Sequence, residues 1–79
     1  MEIRWSLPAA KDLERICERI ELDNPEAARR VARTIYAGCA KLKDFPELGR
    51  ASARMLGRRE LIFAPLPYIA VYEVKGDAI

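Results

Sequence analysis

Apolar and polar residues alternate over residues 2–5, with Ile3 and Trp5 on one face and Glu2 and Arg4 on the other, which predicts a half-buried N-terminal strand. Ser6 then offers an N-cap oxygen and Pro8 suits a first helical turn. Ala9, Leu13, Ile16, Cys17 and Ile20 recur at helical spacing and predict one amphipathic helix running to about Glu21. Leu22-Asp23-Asn24-Pro25 reads as a turn whose Asn24 caps a second helix with Pro25 at its first position. Its stripe is Ala28, Val31, Ala32, Ile35, Tyr36, Cys39 and Leu42, so it should extend to about Lys43 and stop before Phe45-Pro46. So short a turn between two amphipathic helices predicts an antiparallel hairpin.

Beyond Pro46 the periodicity changes. Pro46, Gly49 and Gly57 punctuate a loop, with one helical turn expected near Ala51–Met55. Arg59–Ala64 and Tyr68–Val74 then read as strands joined by Pro65-Leu66-Pro67, the second rich in aromatic and β-branched residues. Lys75-Gly76-Asp77 reads as a hairpin turn, which makes Ala78-Ile79 the opening of a further strand. The expected architecture is α+β: an N-terminal strand, then a helical hairpin packed on a small antiparallel sheet, in the order β-α-α-β-β with the final strand cut short. All 79 residues fit one domain, small enough that a stabilising partner is the default expectation.

Charge sharpens this picture. The net charge is +2, but Arg50, Arg54, Arg58 and Arg59 fall within ten residues that hold no acidic group before Glu60. Such a field suits a phosphate backbone or an acidic protein surface, as a solvated loop does equally. Arg29, Arg30 and Arg33 lie off the apolar stripe of the second helix, where a solvated face or contact with an acidic partner is expected. The chain has no histidine, which excludes Ser-His-Asp and Cys-His nucleophilic catalysis and a two-histidine ribonuclease mechanism. Its two cysteines, Cys17 and Cys39, cannot make a usual zinc site and are expected as small buried hydrophobes in a reducing cytoplasm, with a disulfide between the two packed helices as the alternative. No metal or cofactor is implied. No apolar run is long enough to span a membrane, and Met1–Trp5 does not resemble a signal peptide.

Four stretches together resemble the RelE/ParE superfamily of toxins from type II toxin–antitoxin systems. They are Ile3-Arg4-Trp5-Ser6 with Ala10 and Asp12-Leu13; Leu42 with Phe45-Pro46-Glu47-Leu48-Gly49; Gly57-Arg58-Arg59-Glu60-Leu61; and Tyr68-Ile69-Ala70-Val71-Tyr72-Glu73-Val74. Gly76-Asp77 also fits, and the match spans nearly the whole chain in the family's order. The resemblance implies a cytoplasmic toxin neutralised by a ParD/RelB-like antitoxin. It also implies one of two activities: ribosome-dependent cleavage of messenger RNA, as in RelE-like members, or inhibition of DNA gyrase, as in ParE-like members.

Metal-free RNA cleavage needs a base, an acid and cations for the charged phosphorane. RelE-like members place an arginine directly after the tyrosine matched by Tyr68, and here that position is Ile69. The preceding strand offers Glu60 and Ile62 where lysines are expected, and the final strand and tail that supply further active residues are absent. Arg59, Tyr68 and Tyr72 remain as weak catalytic candidates, too few for a nuclease, so the ParE-like branch is favoured. Arg59 has a structural alternative, pairing with Glu73 or with an antitoxin acid. Arg50, Arg54, Arg58, Arg59, Arg29 and Arg33 are the candidate contacts to target or antitoxin. An uncovered sheet edge is expected to invite an antitoxin strand or a second copy of the chain, and an inactive remnant that only binds antitoxin is the third alternative.

Overall fold

The computed structural model describes residues 2–76 and Ile79. Two helices lead, α1 (Leu7–Glu21) and α2 (Pro25–Ala40), and one 3-10 turn (Lys41–Lys43) extends the second. Three short strands follow, β1 (Arg50–Ala51), β2 (Arg59–Ile62) and β3 (Ile69–Tyr72), in an antiparallel sheet of order β1-β2-β3.

Local sequence accounts for both helix starts. The Ser6 hydroxyl accepts from the Ala9 N–H at 3.2 Å, and the Asn24 side chain accepts from the Ala27 N–H at 3.1 Å. Each cap therefore satisfies one backbone donor that the first turn leaves without a partner. The inward stripes meet as expected: Leu13 from α1 joins Val31, Ile35, Cys39 and Leu42 from the second helix and its extension. Leu61, Phe63 and Tyr72 from the sheet complete that core. Helix α2 lies close to the sheet, because a Cβ at Gly38 would come within 2.6 Å of the Phe63 ring. Tyr36, assigned to the stripe, is instead 54% exposed and packs against Trp5 with ring centroids 5.1 Å apart.

The strand register is Arg59↔Tyr72, Glu60↔Val71, Leu61↔Ala70 and Ile62↔Ile69. Strand side chains alternate, so Leu61, Ala70 and Tyr72 face the helices, while Ile62, Ile69 and Val71 stay about half exposed on the other face. Both strands are shorter than expected from 59–64 and 68–74. The pairing runs one step further, through a Phe63 N–H to Tyr68 carbonyl bond of 3.3 Å, before the Ala64-Pro65 connection, a cis peptide, takes over.

One expectation is corrected. The helical turn near Ala51–Met55 is not formed; Arg50 and Ala51 pair with Glu60 and Arg59 as a strand. Ser52 turns the chain there, its hydroxyl accepting from the Arg54 and Met55 N–H groups. Over residues 2–5, Glu2 makes a β-bridge and the segment bonds to Ile79: the Ile79 N–H donates to the Glu2 carbonyl at 2.8 Å and the Arg4 N–H to the Ile79 carbonyl at 2.7 Å, short of a continuous strand among the described residues. Asp77 of the expected hairpin turn and Ala78 of the expected further strand lie outside the described residues.

Leu42 is 2% exposed at the junction of hairpin and sheet. Leu42→Ala is expected to cost about 2–5 kcal/mol in urea unfolding, since the surrounding elements cannot collapse into the space. Burial pushes the Cys39 thiol above its ordinary pKa, whereas Cys17 is only half buried. A thiol-reactive disulfide reagent at neutral pH should therefore label Cys17 first and Cys39 only on unfolding. Equal labelling rates in the folded protein would contradict the packing described.

Candidate functional site

The loop that leaves the helical hairpin, residues 45–49, is held by side chains from the sheet. The Tyr72 hydroxyl donates to the Pro46 carbonyl at 2.8 Å and accepts from the Gly49 N–H at 2.9 Å. Arg59, opposite Tyr72 in the β2–β3 register, donates its Nε to the Gly49 carbonyl at 3.0 Å and an Nη to the Glu47 carbonyl at 3.3 Å. Gly49 fits because it has no side chain: a Cβ there would sit 2.7 Å from the Glu60 carbonyl oxygen and 2.8 Å from the Tyr72 ring.

Two of the three catalytic candidates, Arg59 and Tyr72, are thus brought together, but as a clamp on backbone. A phenol already donating to a carbonyl has no proton to offer a leaving group. A guanidinium bonded to two carbonyls is poorly placed to meet a phosphate. Tyr68 packs half-buried against the core. Ile69 is 45% exposed on the outer sheet face.

Among the described residues Glu60 is the one buried charged side chain, 7% exposed. Its carboxylate accepts from the Arg50 guanidinium at 3.3 Å and from the Ser52 hydroxyl at 3.0 Å. Charge pairing and a second hydrogen bond offset the desolvation of burying it. In the sequence Glu60 stands out only as an acid where lysines are expected; its tie to Arg50 and Ser52 emerges once β1 pairs with β2.

The arginines divide by role. Arg58 Nε meets Glu73 at 3.1 Å, and Lys75 shares that carboxylate at 3.7 Å. Glu73 therefore pairs with Arg58 and not with Arg59, a correction to the expected cross-sheet pair. The Arg50 side chain is 64% exposed although it reaches Glu60. Arg54 is exposed in the 52–58 loop, and Arg29 and Arg33 are exposed along α2. Beside Arg54 the apolar Met55 and Leu56 are exposed as well, Leu56 completely. Among the described residues no group of three or more metal-ligating side chains gathers. No helix among them is long and apolar enough to cross a membrane.

A second feature was not legible in the sequence. A cleft of about 810 Å³ opens between the N-terminal segment and β3, with Trp5 and Ile79 on one side, Tyr68 and Val71 on the other, and Leu13 and Leu42 among its lining.

Tyr72→Phe removes the hydroxyl from a site of two backbone partners. It is expected to lower stability by about 1–3 kcal/mol, because the buried Gly49 N–H and Pro46 carbonyl lose their partner. Denaturant titration measures this, and amide exchange at Gly49 should accelerate in the same variant. An unchanged midpoint would mean the clamp carries no weight.

Residues 3–79 match the family model described as ParE toxin of type II toxin-antitoxin system, parDE. The chain is also 40% identical over 75 residues to a Sinorhizobium fredii (strain NBRC 101917 / NGR234) protein described as "Putative toxin Y4kP". That match covers 95% of this chain and 77% of the relative. No solved structure matches the chain.

Proposed function

The chain belongs to the ParE family of type II toxins, and on that premise we propose that it arrests growth by binding DNA gyrase in the cytoplasm and is silenced by a ParD-like antitoxin. The observation that supports gyrase binding over RNA cleavage is the clamp. Arg59 and Tyr72, the residues a metal-free nuclease would need, are engaged by the carbonyls of Glu47, Gly49 and Pro46. Ile69 stands where RelE-like toxins carry a phosphate-binding arginine.

Contact with target or antitoxin falls to cations that remain available. Arg54 and Arg50 present charge from the β1–β2 side of the sheet, and Arg29 and Arg33 from α2. Arg58 and Arg59, grouped with them by sequence, contribute less because Glu73 and the loop carbonyls already hold them. Exposed charge of one sign speeds encounter with an acidic surface and fades with added salt.

Purified chain should inhibit gyrase supercoiling, and a ParD-like antitoxin should restore it. The same preparation should leave messenger RNA intact on translating ribosomes. Arg54→Glu should raise the concentration needed for inhibition roughly tenfold, equivalent to about 1.4 kcal/mol, with little change in unfolding midpoint. Ribosome-dependent cleavage without gyrase inhibition would replace this reading with the RelE-like one, and activity in neither assay would leave an antitoxin-binding remnant.

A further inference from the structure

The two helices carry their charge differently. Along α1, Lys11, Arg15 and Arg19 stand among Asp12, Glu14, Glu18 and Glu21, and Arg15 meets Asp12 at 3.6 Å. Along α2, Arg29, Arg30 and Arg33 are followed by Lys41 of the 3-10 turn, and all four are exposed. Among the described residues none of these four side chains has an ion pair or a hydrogen bond. The nearest acids in the chain are Glu26, in the first turn, and Asp44, beyond the 3-10 turn. Helical spacing puts Arg29 and Arg33 in one row and Arg30, Thr34 and Lys41 in the next, with Ala37 between the rows. Like charges at this spacing repel, so the fold itself gains nothing from them. Lys41 and Thr34 share a cleft with Arg50, which continues the positive field onto β1. The one acid lining that cleft, Glu60, is already held by Arg50 and Ser52.

We propose that this ridge, formed by Arg29, Arg30, Arg33, Lys41 and Arg50, binds the phosphate backbone of double-stranded DNA. From Arg29 to Lys41 it runs about 18 Å at about 1.5 Å per residue. That length faces about five phosphates of one strand, at about 3.4 Å per base pair. An acidic protein surface fits less well. Protein interfaces draw most of their affinity from a few buried aromatic or aliphatic anchors. Between these cations stand only small side chains, Thr34, Ala37 and Ala40, and Tyr36, the exposed large apolar residue of α2, is turned to Trp5. Guanidinium groups on a preformed helix donate in pairs to phosphate oxygens and need no pocket. Such contacts position a protein without reading bases, so no sequence preference is expected. Two rows of cations suit phosphates on either side of a groove, and the B-form major groove, about 12 Å wide, admits a helix where the A-form groove of RNA does not.

This surface does not rest on gyrase binding, and its test uses neither gyrase nor antitoxin, so it and the supercoiling assay fail separately. The probe is a fluorescein-labelled DNA duplex of about 20 base pairs and arbitrary sequence, titrated with the full chain from about 50 to 200 mM salt and followed by anisotropy. Binding should be saturable at the low end, and log K should fall against log salt with a slope of about −4, the release expected for four to five phosphate contacts. Arg29→Gln with Arg33→Gln should weaken binding at least roughly tenfold and lower the slope by about 2. Arg15→Gln with Arg19→Gln on α1 makes the same change in net charge and should alter neither. Glutamine is a good helix former, so both variants should keep the native unfolding midpoint. On the unaltered chain, amide shifts induced by the duplex should gather at residues 29–41 and Arg50 and spare α1, a readout independent of any variant. Absence of saturable binding at about 50 mM salt overturns the proposal. So does an equal loss in the α1 variant, which is net charge alone. Displacement of the duplex by polyglutamate at an equal concentration of charge would give the face to an acidic protein, and tighter binding of an RNA duplex of the same sequence would give it to RNA; either result overturns the assignment to DNA.

Discussion

The Tyr72 hydroxyl, held between the Pro46 carbonyl and the Gly49 N–H, fixes how the two halves of this protein meet. The helical hairpin ends at Lys43, and the sheet begins at Arg50. The few residues between them must change direction while keeping their polar backbone satisfied next to the core. One phenol does both, since a single oxygen donates to one end of the turn and accepts from the other. Arg59 reinforces it from the adjacent strand, and the missing side chain of Gly49 lets the strands approach. With that loop placed, Arg50 and Ala51 reach β2 and bring Arg50 and Ser52 to the buried Glu60 carboxylate.

The same arrangement separates what the fold uses internally from what it offers to others. Arg59 and Tyr72 carry the chemistry of a phosphate site but act on the protein's own backbone. Arg58 is drawn to Glu73. Of the candidate contact arginines, Arg29, Arg33, Arg50 and Arg54 keep their charge at the surface, spread over α2 and the β1 side of the sheet. The binding role proposed for this chain draws on such a surface.

The two sides of the sheet are unlike. β1 is a two-residue edge, too short to template another chain. β3 is apolar on its outer face and lacks lysine or proline within its span, and the cleft lies beside it.

Both helices were legible from end to end in the sequence, because the signals that start, stripe and stop a helix lie within a few residues of one another. Ser6 with Pro8, Asn24 with Pro25, and the apolar spacing from Leu13 to Leu42 are all local. β2 and β3 were legible as elements from their β-branched and aromatic composition, though their ends were set by pairing. The two-residue β1, the irregular course of residues 2–5, the burial of Glu60 and the engagement of Arg59 and Tyr72 were decided by tertiary structure alone. Each depends on a partner distant in the chain: Arg50 on Glu60, Glu2 and Arg4 on Ile79, Pro46 on Tyr72. The α+β class was therefore written in local periodicity. Which polar residues would serve the fold and which would face a partner was settled only when distant strands came into register.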